Sequence, residues 1–201
     1  MSRFRGGFQV QCFPLERVPQ LEILRVFARR PAMYGLLEVD VTTPRRLIRD
    51  ERNRTRTGLS FTAFLVGCLA RAVDENRQVQ AFRRGRRQLI VFDEVDVATL
   101  IEVDTGHTRV PLFYVVRDAA SKSVHEIHEE IRAAQTDKAG LDARRRQIRR
   151  ARLLPRPIRT LLWQALAVAP RTWQRYGGTV VLTSVGMFAN GPGWGLSITA
   201  H

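Results

Sequence analysis

Gly177-Gly178-Thr179-Val180-Val181-Leu182-Thr183-Ser184-Val185-Gly186-Met187-Phe188 constrains the fold more than any other stretch of this chain. A glycine pair allows backbone angles closed to other residues. The β-branched run behind it favours a strand, and Gly186 ends that run with a second turn. The stretch predicts a turn, a buried strand over Thr179–Val185 carrying the hydroxyls of Thr183 and Ser184, and another turn. Successive strand side chains face opposite ways, so one hydroxyl points to each side of the sheet. Such a pair is common in strands. Held in a water-poor site, a strand hydroxyl can also donate to negative charge that develops on a reacting oxygen.

The rest of the chain alternates helix and strand signals. Residues 1–33, broken by Pro14, Pro19 and Pro31, read as an irregular arm with a short helix near Gln20–Arg29. Tyr34–Val41 is a strand candidate, alternating in its second half. Thr43-Pro44 predicts a helix start, a hydroxyl cap followed by proline, and Arg49–Thr57 a solvated helix end and loop. Over Ser60–Asp74, Phe61, Phe64, Leu65, Cys68, Leu69 and Ala72 recur at helical steps and form one apolar stripe. Arg83-Arg84-Gly85-Arg86-Arg87 is a basic turn, followed by strand candidates at Gln88–Phe92, Val95–Val103 and Val110–Arg117. Ser123 and Glu126 make a capping box for a helix to about Gln135, with Val124, Ile127 and Ile131 on its apolar face. Leu141–Tyr176 is basic and helix-prone, interrupted at Pro155, Pro157 and Pro170, and a last strand is expected at Trp194–Thr199. This order predicts one mixed α/β domain over 34–201 behind the N-terminal arm.

At 201 residues the chain is long enough for a sizeable core. Its formal net charge of +14 comes almost wholly from arginine, lysine occurring only at 122 and 138. An Arg-rich coding bias explains the choice of cation. The excess of cations over anions still attracts polyanions, whether nucleic acid, an anionic membrane or a phosphorylated ligand. Cys12 and Cys68 are far apart and suggest neither a disulfide framework nor zinc; Cys68, on the apolar stripe, is expected to be a small buried thiol. The N-terminus lacks an apolar signal core, and the apolar stretch Leu161–Ala169 is too short to cross a bilayer, so a cytoplasmic protein without a transmembrane segment is expected.

The glycine-flanked strand resembles the Gly-Gly-Thr-Phe-Thr-Ile-Ser-Asn-Leu-Gly motif of the dihydrolipoyl acyltransferase core of 2-oxo-acid dehydrogenase complexes. The likeness runs from about Tyr34 to Phe188. Leu37-Glu38-Val39-Asp40-Val41 is similar to that family's early strand, and Ser60–Asp74 to its long apolar helix. Val103-Asp104-Thr105 with Arg109-Val110-Pro111-Leu112 is similar to its Val-Asp-Thr…Val-Pro-Val run, and Val116-Arg117-Asp118-Ala119 to its Arg-Asn/Asp-Ala stretch. Met187 to Gly195 resembles the ending of small stand-alone members. The resemblance implies a chloramphenicol acetyltransferase-like mixed sheet flanked by helices (α/β, α+β), a homotrimer with its active site between subunits, and coenzyme A or acyl-CoA as substrate, without a metal. It implies Thr183 as the oxyanion donor, in place of the family's serine, with Ser184 beside it.

Three departures accompany the resemblance. Thr183 adds a methyl to the family's hydroxyl. Arg77-Gln78-Val79-Gln80 replaces a Pro-Glu-Leu-Asn turn, and the basic region 141–176 is longer. The family's base lies in a His-x-x-x-Asp-Gly run. None of His107, His125, His128 and His201 begins such a run, so the C-terminal part of the family domain is expected to be missing and the chain alone inactive. His125 and His128, three apart on a helix, read as a surface pair rather than metal ligands. Asp137-Lys138-Ala139 mimics a lipoylation motif but follows a helix rather than sitting on a hairpin tip, and the sequon Asn53-Arg54-Thr55 is expected to be silent.

The cluster Arg144, Arg145, Arg146, Arg149, Arg150 and Arg152, extended by Arg156 and Arg159, is the main basic patch. A solvated helix face and a phosphate-binding surface both fit it. No stacking platform or helix-turn-helix supports nucleic acid as the partner. The leading expectation is coenzyme-A-dependent acyl transfer to a thiol or another acceptor. The alternative is a non-catalytic acyltransferase-like scaffold whose arginines dock an acidic partner, a membrane or nucleic acid. Glu126, Glu129 and Glu130 are the acidic residues expected to let the Arg-rich surface pack in a trimer.

Overall fold

A computed structural model describes residues 21–22, 33–55, 58–85, 87–104, 109–137, 140, 143, 146, 150 and 154–184. In chain order the elements are α1 (Thr42–Thr55), α2 (Phe61–Glu75), a 3-10 turn (Arg77–Gln80), β1 (Phe82–Arg84), β2 (Gln88–Ile90), β3 (Val97–Asp104), β4 (Arg109–Val116), α3 (Val124–Thr136), α4 (Arg156–Val168), α5 (Pro170–Gly177) and β5 (Val180–Leu182). The expected last strand, Trp194–Thr199, and the arm before residue 21 lie outside the described residues.

The architecture is mixed α/β. β1 and β2 form a hairpin across the basic turn, where Gly85 takes a φ of 62°. The main sheet has the order β4-β3-β5, with β3 antiparallel to β4 and parallel to β5. α3, α4 and α5 are among the elements between β4 and β5, and so lie in the long crossover that the parallel pairing of β3 with β5 needs. Strand alternation sorts β3 cleanly. Val97, Thr99, Ile101 and Val103 turn towards α2 and α3 and are buried, whereas Leu100 and Glu102 occupy the other face.

The core joins those residues to Val116, Ile127, Ile131 and one face of α2. That face is Ala63, Val66, Gly67, Ala70 and Val73, which differs from the expected stripe. Phe61, Phe64, Leu65 and Leu69 are half-buried, and Ala72 is exposed. The reason is close packing. A Cβ at Gly67 would lie 3.3 Å from Val124 Cγ2, so α2 approaches α3 along its small residues and turns its bulky ones aside. Cys68, expected to be buried, is exposed for the same reason.

Helix ends follow local chemistry. Ser123 accepts from Glu126 N at 3.2 Å, and Glu126 Oε2 accepts from Ser123 N at 2.7 Å, the expected capping box. These bonds hold the Glu126 carboxyl below its ordinary range. α1 begins a residue before the expected Thr43, because Asp40 Oδ1 accepts from Thr42 N at 2.8 Å and takes over the cap. It also runs on to Thr55, through what the sequence predicts as a frayed end.

Tyr34–Val41 is not a strand. It carries no sheet pairing, and Tyr34, Leu36, Leu37 and Val39 are exposed. Alternation supplies a strand's two faces but not a neighbouring strand, and pairing is what makes a strand stable.

Candidate active site

The glycine-flanked strand is positioned by one buried carboxylate. Asp96 precedes β3, its side chain 2% exposed, and its Oδ2 accepts from Arg117 Nη1 at 2.7 Å. Its Oδ1 accepts from the Asp118 backbone N–H at 2.9 Å, where the chain turns out of β4 with a positive φ of 42°. The same guanidinium donates from Nη1 to the Gln174 carbonyl at 2.8 Å and from Nη2 to the Arg175 carbonyl. A cation on the last carbonyls of α5 meets both their unsatisfied acceptors and the negative end of the helix dipole.

The backbone of Asp96 completes the arrangement. Its carbonyl accepts from Thr179 N at 2.7 Å and Val180 N at 3.2 Å. Its N–H donates to Thr179 Oγ1 at 3.1 Å, and that hydroxyl donates back to the carbonyl at 3.2 Å. Gly178 passes over this knot with a φ of 70°. Gly178 and Thr179 thus fix where β5 begins, and the register of β5 fixes Thr183 and Ser184.

Thr183 and Ser184 lie just past β5. Val180 and Leu182 pack against the core, so Val181 and Thr183 take the opposite sheet face. Val181 is 55% exposed, Thr183 is exposed and Ser184 half-buried. The hydroxyls do divide between the two faces. The face of Thr183 is open to solvent, so the strand is not buried on both sides.

The histidines fall on the other side. α3 carries His125 and His128 and packs on the core face through Ile127 and Ile131. Of the expected surface pair only His125 is exposed, its Nε2 3.3 Å from Glu129 Oε1. His128 instead ties two helices together, because its Nδ1 accepts from Ser60 N at the start of α2 at 3.1 Å. Burial, then the charge of Arg132, holds the His128 imidazole below its usual pKa of 6.5. The folded state therefore favours neutral His128, and its contribution is complete above pH 6.5 and lost as pH falls through the depressed folded value. Urea titrations are expected to show stability declining with acid below pH 6.5, with a shallower slope in His128→Gln. His107 and His201 lie outside the described residues. Among the described residues no cluster of His, Cys, Asp or Glu could hold a metal ion.

A second feature, absent from the sequence reading, is a groove of about 480 Å³ lined by Ile101, Leu112, Tyr114, Glu130, Ala134 and Asp137. Glu130 sits in its wall, accepting from Tyr114 OH at 3.0 Å and from Lys122 Nζ at 2.6 Å. Burial, then the bond to Glu130, pushes the Tyr114 phenol up to about 12, so it stays a donor at working pH. Carboxylates in the wall make this groove a poor seat for phosphates. An apolar position in β4 (Tyr114) facing a helical Glu is the signal that could have pointed here.

The expected basic patch is only partly visible. Arg146 and Arg150 are exposed, whereas the side chains of Arg144, Arg145, Arg149, Arg152 and Arg156 lie outside the described residues. Arg159 does not belong to it, since its Nη2 lies 2.8 Å from Glu22 Oε1 and Trp163 Nε1 donates to Glu22 Oε2 at 2.7 Å. Glu126, Glu129 and Glu130 each have a partner within the chain, and Glu126 and Glu129 remain exposed. In place of the family's turn, Gln80 is buried and donates from Nε2 to the Phe92 carbonyl at 2.9 Å. Lys138 lies outside the described residues.

Residues 20–151 match the family model of the 2-oxoacid dehydrogenases acyltransferase (catalytic domain). That match ends before the glycine-flanked strand, whereas the likeness of fold extends over it. The probable dihydrolipoamide acetyltransferase of Listeria monocytogenes 4b F2365 is similar over 94% of this chain and 69% of its own, at 17% identity and a TM-score of 0.60. The cubic core of a pyruvate dehydrogenase multienzyme complex is similar over 100% of this chain and 72% of its own, at 14% identity and a TM-score of 0.62. A truncated catalytic core of the 2-oxoacid dehydrogenase multienzyme complex from Thermoplasma acidophilum shares 21% identity over 68% of this chain and 60% of its own, at a TM-score of 0.51. No curated protein sequence matches the chain.

Proposed function

Because this chain belongs to the 2-oxoacid dehydrogenase acyltransferase family, we propose that it is built for coenzyme-A-dependent acyl transfer, with Thr183 donating to the oxyanion. The observation that carries this reading is the position of Thr183. It directly follows a short strand whose start is locked by Asp96 and Arg117, and its side chain is exposed. In the reaction a base takes the proton of the acceptor thiol and the thiolate attacks the acyl carbonyl. The tetrahedral oxyanion accepts from the Thr183 hydroxyl, then collapses to expel the thiolate of coenzyme A, which recovers the proton. Ser184, half-buried on the core side of β5, supports the strand rather than touching the acyl group.

An oxyanion donor works where water is excluded, and Thr183 is exposed in a single copy. Its site is therefore completed by another subunit in a homotrimer, which also covers Val181. Neither His125 nor His128 serves as the base, because the sheet separates them from Thr183.

Two measurements test this. Light scattering is expected to show trimers. Acyl transfer from acetyl-CoA to a small dithiol is expected to be at background for this chain, since no histidine among the described residues lies on the face of Thr183. Transfer clearly above background would overturn the inactivity. If Thr183→Ala then lowered that transfer by roughly a hundred- to a thousand-fold, the donor role would stand. A stable monomer that binds no coenzyme A would sink the acyltransferase reading and leave the non-catalytic shell.

A further inference from the structure

We propose that α4 is a membrane-surface helix that docks this protein on an anionic lipid bilayer. Ile158, Leu161, Leu162 and Val168 recur at helical spacing on one face of α4 and are between 45 and 68% exposed. Leu154, just before the helix, is exposed beside them. The opposite face is already engaged, because Arg159 and Trp163 both bond Glu22. The helix is thus clamped by its polar side and presents its apolar side outward. A monomeric protein rarely leaves such a stripe in water without a partner.

Charge says what that partner is. Residues 143–201 contain no Asp or Glu, while arginines stand at 144–146, 149, 150, 152, 156, 159, 171 and 175. Of these, Arg146, Arg150, Arg171 and Arg175 are exposed. A second copy docking two-fold through the same face would set arginine against arginine, with no acid in the segment to answer it, and the trimer proposed above is argued from the face of Thr183 and Val181 rather than from α4. A nucleic acid would satisfy the arginines but leave the leucines wet. An anionic bilayer offers an apolar layer below negative headgroups, which suits an apolar stripe flanked by cations. At about 20 Å the 13-residue helix is too short to cross the hydrocarbon and would lie in the interface plane. Among the described residues no helix is long and apolar enough to span.

The test is co-sedimentation of the full chain with vesicles of phosphatidylcholine alone and of phosphatidylcholine with phosphatidylglycerol. Binding to the anionic vesicles that weakens as salt rises is expected, with little binding to the neutral ones. Leu161→Ser with Leu162→Ser changes only exposed positions and should preserve the fold, checked by circular dichroism. It is expected to weaken anionic-vesicle binding by about tenfold or more. Arg146→Gln and Arg150→Gln should each cost about fivefold. Equal partition into both vesicle types overturns the proposal, as does anionic binding that ignores the leucine changes. Tighter binding to duplex DNA than to vesicles would assign the arginines to nucleic acid instead. A leucine variant that changes the oligomeric state while vesicle binding stays intact would assign the stripe to a second copy.

Discussion

Gly178→Ala is expected to destabilise the chain by about 4 kcal/mol, a large share of the stability of an ordinary domain. Two penalties combine. The φ of 70° at Gly178 is costly for any residue with a Cβ. A Cβ there would also sit 2.6 Å from the Asp96 carbonyl and 3.0 Å from Ala98 N, both backbone atoms that cannot swing aside. Two other glycines separate the terms. Gly85 has a φ of 62° and nothing within 4 Å of an added Cβ, so Gly85→Ala should cost only about 1 kcal/mol. Gly35 has neither problem, and Gly35→Ala should fall within about 0.5 kcal/mol of the parent. Urea unfolding of the three variants orders them. A Gly178→Ala variant as stable as Gly85→Ala would show that the β5 turn yields easily, and the account of how Thr183 is placed would fail with it.

Gly178 also shows how far the sequence could be read. A glycine pair before a β-branched run announced a turn and a strand, and both are there. It could not announce which backbone the glycine must clear, because Asp96 is distant in sequence. The same limit recurs elsewhere. The Ser123–Glu126 box was legible because both partners lie within one turn of helix. β3 and β4 were legible as strand candidates, and Pro155, Pro157 and Pro170 marked where the basic region breaks into α4 and α5. Tyr34–Val41 alternates in its second half and is not a strand, since alternation does not provide a neighbour. The α2 stripe was read from apolar residues at helical steps, but the core took a neighbouring face of smaller ones. A close helix crossing selects for Gly67 and Ala63, and a hydrophobicity pattern ranks these low. The strand that leads to Thr183 was legible through its glycine-flanked motif. The knot behind it was not, because an Asp ahead of one strand and an Arg after the next become partners only once the two strands pair.

Breaking the Asp96–Arg117 pair from one side is expected to cost about 3–5 kcal/mol, while removing both partners should cost much less. The asymmetry follows from burial. Asp96 is 2% exposed and Arg117 42% exposed, so the carboxylate depends on the guanidinium far more than the reverse. Arg117→Met strands a buried carboxylate, which keeps only the Asp118 N–H, and also uncaps the Gln174 and Arg175 carbonyls. Arg117→Lys keeps the charge but not the planar fork that serves Asp96 and α5 together, and should recover less than half of the loss. Asp96→Asn keeps the volume and should be milder than Arg117→Met, because the cation it leaves can reach water. In the double variant Asp96→Asn with Arg117→Met no charge remains to be solvated. A double-mutant cycle in urea should therefore give a coupling of more than 1 kcal/mol. Simple additivity would reduce the pair to a surface contact.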